Sequence, residues 1–110
     1  MGTPEKTYKL FDAIKSIPLS KLAAHFHDTY DNALENLLVA IEKGVTVIDS
    51  STAGLGGCPY AKKSAGNVCT ENVVGMLHAL GIETGVDLEK LKEIGQEISD
   101  KLGRENASIV

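Results

Sequence analysis

The chain has 110 residues, 43 % of them hydrophobic and 24 % charged, with a formal net charge of −4. That length holds one domain with a modest core, and the composition is that of a folded soluble chain rather than a disordered one. The acidic balance offers no electrostatic footprint for nucleic acid or an anionic membrane surface, and no apolar run approaches the length of a membrane span. Two cysteines, Cys58 and Cys69, are too few for a disulfide scaffold and point to a reducing, intracellular compartment. The opening MGTPEK lacks a secretory apolar region, and Lys6 stands where a myristoylation motif requires a hydroxyl residue. The closing Ser-Ile-Val is neither a prenylation nor a peroxisomal signal.

In chain order, Thr3 is placed to cap a helix with Pro4 at its first position. Leu10, Phe11, Ile14 and Ile17 form its apolar stripe, and Pro18 stops it. Leu22 to His27 (LAAHFH) reads as a short strand. Ala33, Leu34, Leu37, Leu38 and Ile41 keep helical spacing, with Gly44 as terminator. Val45 to Asp49 (VTVID) is β-branched and short, hence a second strand. Glycines 54, 56, 57 and 66 and Pro59 make Ser50–Asn67 a long loop. Thr70 is expected to cap a helix carrying Val73, Val74, Leu77 and Leu80, closed by Gly81. Asp87 opens the last helix, with Leu88, Leu91, Ile94, Ile98 and Leu102 on one face before Gly103.

Strands alternating with helices imply an α/β fold with parallel pairing. Two strands do not finish a sheet, and their edges await partners. The pattern is that of a part of a larger assembly.

Side chains alternate along a strand, so His25 and His27 project to one face and Ala24 and Phe26 to the other. Alone, a His-x-His pair favours the bland reading, a solvated polar face or a hydrogen-bonded core pair. In parallel α/β architectures, however, function gathers at the C-terminal ends of strands. His25 and His27 close one strand; Asp49, Ser50 and Ser51 close the other, at the same end of the sheet. Asp28 reads as a helix cap, while Asp49 is open between cap and site. Cys58 sits in a glycine-rich loop, where a thiol can reach a substrate. No P-loop pattern accompanies those glycines. Lys62 and Lys63 are either solvated charges or an attraction for an anionic substrate. Asn67 reads first as a turn residue, and Cys69, Met76 and His78 as structural or surface groups.

The run AAHFHDTYDNAL…GVTVIDSSTAGLGGCPYAKKSAGNVCTENVVGMLHALGIETGV resembles the C-terminal part of the 3-hydroxy-3-methylglutaryl-CoA lyase family. The resemblance runs from about Gly2, just past the family's sixth barrel strand, nearly to the end of the chain. GLGGCPYA is its most specific segment. Related isopropylmalate and homocitrate synthases share the His-x-His but not this cysteine loop.

The resemblance implies a partial (β/α)8 TIM barrel: the last two β/α units and the start of a C-terminal helical extension, spanning residues 1–110. It makes His25, His27 and Asn67 ligands of a divalent metal, Mg²⁺ or Mn²⁺. It makes Cys58 and His25 catalytic and Glu71 a supporting acid. It implies cleavage of hydroxymethylglutaryl-CoA to acetyl-CoA and acetoacetate, as in leucine breakdown and ketone-body formation. An acyl-CoA substrate and a homo-oligomer, or association with the missing barrel portion, are the expected partners. The expected location is the mitochondrial matrix in a eukaryote and the cytoplasm in a bacterium.

Three departures stand out. The family's adjacent arginine and aspartate on its first strand have no counterpart here. Cys69 stands where small non-thiol residues are expected, and the family's C-terminal cysteine is absent. The isolated chain is therefore expected to be inactive. A fragment of a related acyl-CoA condensing synthase and a non-catalytic, self-associating partial barrel are the alternatives.

Overall fold

The computed structural model describes residues 2–56 and 66–110. Cys58, Lys62 and Lys63 lie outside the described residues.

Helix α1 spans Pro4–Ala13, and the Thr3 hydroxyl accepts the Lys6 N–H at 3.2 Å, as its cap position requires. It ends one turn short of the expected stripe. Ile14 to Ile17 are turn, and Pro18 opens a 3₁₀ turn over Leu19–Lys21 instead. Helix α2 covers Ala33–Glu42 and stops as expected at Gly44, whose φ of 101° suits a residue without a side chain. Its buried face carries Ala33, Leu37 and Ala40. The Tyr8 hydroxyl donates to Glu42, and Lys43 Nζ lies 5.2 Å from the Tyr8 ring centroid, so α1 is clasped along α2.

Strands β1 (Ala24–His25) and β2 (Ile48–Asp49) pair in parallel, Ala24 with Ile48 and His25 with Asp49. Both are shorter than the six- and five-residue strands their sequences suggest: β2 ends at Asp49 as expected but starts late, while β1 is cut at both ends. A third segment limits β1 at its C-terminal end. Gly66–Thr70 wedges between the outgoing strand ends: the Val68 N–H donates to the Phe26 carbonyl (3.1 Å), and the Val68 carbonyl accepts from Ser51 (3.0 Å). His27 accordingly bridges Asn67 antiparallel, and Ser51 bridges Cys69 parallel. Upstream of β1, Leu22 caps the 3₁₀ turn rather than extending the strand.

Helix α3 (Thr70–Ala79) has Cys69, not Thr70, at its cap position, without a side-chain bond. Thr70 is the first helical residue, and its hydroxyl instead meets Ser50 Oγ at 2.8 Å, tying the helix start to the end of β2. Helix α4 (Leu88–Leu102) is capped by Asp87, which accepts the Lys90 N–H at 3.2 Å, and ends at left-handed Gly103. The core lies between β1, α2 and α3: Ala24, Ala33, Leu37, Ala40, Val45, Val68 and Val73 are buried, with Phe11, Leu22, Phe26, Ile48 and Leu77 against them. Burying one aliphatic side chain of this kind stabilises by roughly 1.5–3 kcal/mol. Several stripe residues instead face solvent, among them Leu10, Ile17, Ile94 and Leu102. No helix of the described residues is long and apolar enough to cross a membrane.

Candidate metal and catalytic site

Strand parity puts His25 and His27 on one face. Both are exposed, while Ala24 and Phe26 turn inward, and the two rings lie 5.3 Å apart between centroids at 50° to each other. The in-register neighbour of His25 is Asp49, whose Oδ2 is 3.5 Å from His25 Nδ1. The backbone bridge to His27 brings Asn67 to the same end of the sheet. Its amide nitrogen donates to the Leu55 carbonyl at 3.1 Å, which leaves the amide oxygen as its lone-pair donor. Asn67 is thus both a turn residue and a neighbour of the imidazoles. A cavity of about 340 Å³ opens beside the pair, walled by Phe26, Thr29, Tyr30, Asn32 and Asn36.

Asp28 performs the capping its junction position suggests: Oδ1 accepts the Ala33 N–H at 3.1 Å, at the first turn of α2. That bond and the Asp28 N–H to Gly66 carbonyl bond (3.3 Å) hold His27 between two fixed points.

A second cluster gathers around Ala53 and Glu71. Glu71, in the first turn of α3, is fully buried. Both of its oxygens lie 3.0 Å from the Ala53 N–H, and the Cys69 thiol donates to Oε2 at 2.8 Å. Ala53 holds φ 55°, a left-handed conformation costly for a residue with a side chain, and the Glu71 bond helps fix it. Burial, then the Glu71 hydrogen bond, push the Cys69 thiol up to about 12, so it keeps its proton and serves as a structural donor. The C-terminal segment straps over the same turn: the Ala107 N–H donates to the Ala53 carbonyl at 3.2 Å, and the Ile109 N–H to Asn72 Oδ1 at 2.9 Å. A Cβ on Gly95 would run into Glu71 Oε1, so α4 approaches this closely only because residue 95 is glycine.

The donor set has a limit. Among the described residues, no group of three or more His, Cys, Asp or Glu side chains is gathered as a metal cluster. What the strand end offers is two imidazoles, with Asp49 beside His25 and the backbone of Asn67 bridged to His27. These are suitable donors for an octahedral Mg²⁺ or Mn²⁺, but too few and too weakly charged to complete its shell.

One residue beside the site carries no expectation from the sequence. Asn36 is 2 % exposed, on the buried side of α2, and its Oδ1 has no hydrogen-bond partner among the described residues. A polar residue within the Ala33–Leu37–Ala40 stripe was the available signal. The burial of Glu71 was likewise hidden, although a glycine in mid-α4 marks a close approach.

A parallel β-α-β unit whose polar groups collect at the C-terminal strand ends defines a segment of an α/β barrel. The chain belongs to the HMGL-like family, whose model matches residues 1–98. It is similar to the mitochondrial hydroxymethylglutaryl-CoA lyase of Arabidopsis thaliana, 53 % identical over 109 residues, covering 98 % of this chain and 23 % of that protein. Its fold superposes on the crystal structure of hydroxymethylglutaryl-CoA lyase from Pseudomonas aeruginosa with a TM-score of 0.93 and 48 % identity, covering 99 % of this chain and 37 % of that one. It also superposes on an HMG-CoA lyase from Acinetobacter baumannii in complex with coenzyme A and 3-methylmalate, with a TM-score of 0.89 and 35 % identity, covering 99 % and 36 %. The chain thus spans about a quarter to a third of the length of the relatives it matches. Its α/β fold is a partial TIM barrel, as the family resemblance implies, and its strands pair in parallel, as the alternation of strands and helices suggests.

Proposed function

We propose that residues 1–110 are the C-terminal part of the catalytic barrel of a hydroxymethylglutaryl-CoA lyase and carry most of its metal-binding face. The observation that supports this reading is the backbone bridge between His27 and Asn67 at the strand end that carries the two imidazoles. In this reading His25, His27 and Asn67 hold a divalent cation, Mg²⁺ or Mn²⁺. Such a cation, when bound, supplies Lewis acidity to the oxygens of the substrate.

In this reading a base on the missing first strand accepts the C3 hydroxyl proton of hydroxymethylglutaryl-CoA, with His25 taking part as the catalytic ligand beside it. The C2–C3 bond then breaks, acetoacetate leaves, and its electron pair stays on the acetyl-CoA enolate. Cys58, in the glycine-rich segment, delivers its thiol proton to that enolate carbon. Glu71 and Ala53 anchor the foot of that segment, so Glu71 supports the site without touching substrate. The acyl-CoA is the small-molecule partner, and the remaining strands of the barrel, or further copies of the chain, cover the open sheet edges. The proposed location is the mitochondrial matrix in a eukaryote and the cytoplasm in a bacterium.

The test joins this chain, in place of the matching segment, to the preceding part of the Pseudomonas aeruginosa enzyme. With Mg²⁺ or Mn²⁺ and hydroxymethylglutaryl-CoA, the chimera should release acetoacetate, and Cys58→Ser should lower its turnover far more than its metal affinity. A folded chimera that binds metal but releases no acetoacetate would overturn the reading. The 110-residue chain alone should show no turnover, since residues acting as one catalytic unit lose nearly all activity when a member is missing.

A further inference from the structure

We propose that Asp49 is a positioning residue that fixes the tautomer of His25, placing the ring proton on Nδ1 and leaving Nε2 as the bare nitrogen. The inference deepens the metal-site reading and rests on it for its functional meaning, though not for its geometry.

The parallel register pairs His25 with Asp49, so both side chains emerge from the same face of the sheet on adjacent strands. Oδ2 of Asp49 stands 3.5 Å from Nδ1 of His25. A neutral imidazole has one N–H and one lone pair, and the partner at one nitrogen decides which atom carries the proton. With the proton on Nδ1, an N–H dipole faces a carboxylate oxygen and attracts it. With the proton on Nε2, a ring lone pair faces an anionic oxygen and is repelled. The two tautomers therefore differ in the sign of this contact, not merely in its size. A carboxylate behind one nitrogen also turns the other outward as a more basic donor, the arrangement that suits a metal-ligating or proton-accepting histidine.

His27 supplies the internal control. Its ring is 5.3 Å from that of His25, yet among the described residues no carboxylate lies within ion-pair distance of it. The two imidazoles share a face and solvent exposure and differ in this one neighbour. The functional consequence is a division of roles: His25 presents Nε2 in a fixed orientation, while His27 takes the tautomer its ligand demands.

Long-range ¹H–¹⁵N correlation spectra of the ¹⁵N-labelled chain test this directly. At about pH 8.5 the tautomers of both rings are read from the nitrogen shifts. His25 should be mostly Nδ1–H. Asp49→Ala should move its Nδ1–H to Nε2–H ratio at least about threefold toward Nε2–H, and Asp49→Asn, which keeps an acceptor oxygen, by less. His27 should not move in either variant. A His25 that is mostly Nε2–H in the unaltered chain, or a ratio indifferent to Asp49→Ala, overturns the inference. Should a variant fold poorly, the spectrum of the unaltered chain still decides. Addition of Mn²⁺ separates the two layers of the argument: broadening of both rings supports the metal reading whatever the tautomer. Sharp rings with an Asp49-dependent tautomer would remove the metal reading and leave the inference standing.

Discussion

Two polar clusters lie a few residues apart in this chain, and they are finished to different degrees. Around Glu71 every group has its partner from within: the Ala53 amide, the Cys69 thiol, the close backbone of Gly95 and the strap of the C-terminal segment. Around His25 and His27 the rings face solvent, Asp49 is exposed, and the neighbouring Asn36 holds a buried oxygen with no partner. A buried polar group without a hydrogen bond costs about 1–3 kcal/mol, so the histidine face is built to be completed by something else. In the proposed reading the Glu71 cluster is structural and the histidine face is the working surface.

The sharpest way to break that contrast is Glu71→Ala. It strands the Ala53 N–H and removes the acceptor of the Cys69 thiol in the core, and should cost about 3 kcal/mol in urea unfolding. His25→Ala and His27→Ala should each cost less than about 0.5 kcal/mol in the same measurement, because both rings are exposed. Comparable losses from the two sets would erase the distinction. Gly95→Ala should approach the effect of Glu71→Ala, at about 2–3 kcal/mol, since the new methyl group meets the Glu71 carboxylate and can be relieved only by moving α4.

The Cys69 thiol sharpens the comparison through pH. Its pKa is raised in the folded chain to about 12 from an ordinary value of 9.0. The folded state therefore holds a proton that the unfolded state releases between those values. The contribution to stability is fully present below pH 9 and is lost as pH rises through the folded value. Cys69→Ala should flatten that part of the stability profile, and the thiol of the folded chain should resist alkylation near pH 8. Rapid alkylation under native conditions would contradict the burial of the cluster. Small, and opposite in sign, is Ser99→Ala. The Ser99 hydroxyl is buried without a partner among the described residues, so its loss should change stability by under about 1 kcal/mol, in the stabilising direction.

The legible parts of the molecule are those whose cause is local. The Thr3 and Asp87 caps, the Gly44 and Gly103 terminators and the parity of His25 and His27 follow from side-chain chemistry within a few residues, and each stands where the sequence suggests. The trimmed C-terminal end of β1 was not legible, because the wedge that limits it comes from Gly66–Thr70, about forty residues away in the chain. Thr70 misled for a similar reason: its hydroxyl serves Ser50 across the sheet rather than its own helix. The site was half legible. The strand-end rule located the histidines, but Asn67 reads as a turn, and its approach to His27 depends on the returning backbone. Asn36 and the burial of Glu71 were not legible because burial is a property of packing. An acid in the first turn of a helix ordinarily reads as an exposed partner of the helix dipole.

The central claim is that His25, His27 and Asn67 form a metal-binding face that this chain does not complete. Calorimetric titration of the isolated chain with Mn²⁺ tests it most directly. The account predicts weak binding at one site, with a Kd of about 1 mM, consistent with a donor set short of charge and ligands. That binding should disappear in His25→Ala and His27→Ala. Binding at micromolar Kd or tighter, or binding that survives the loss of both imidazoles, would contradict it.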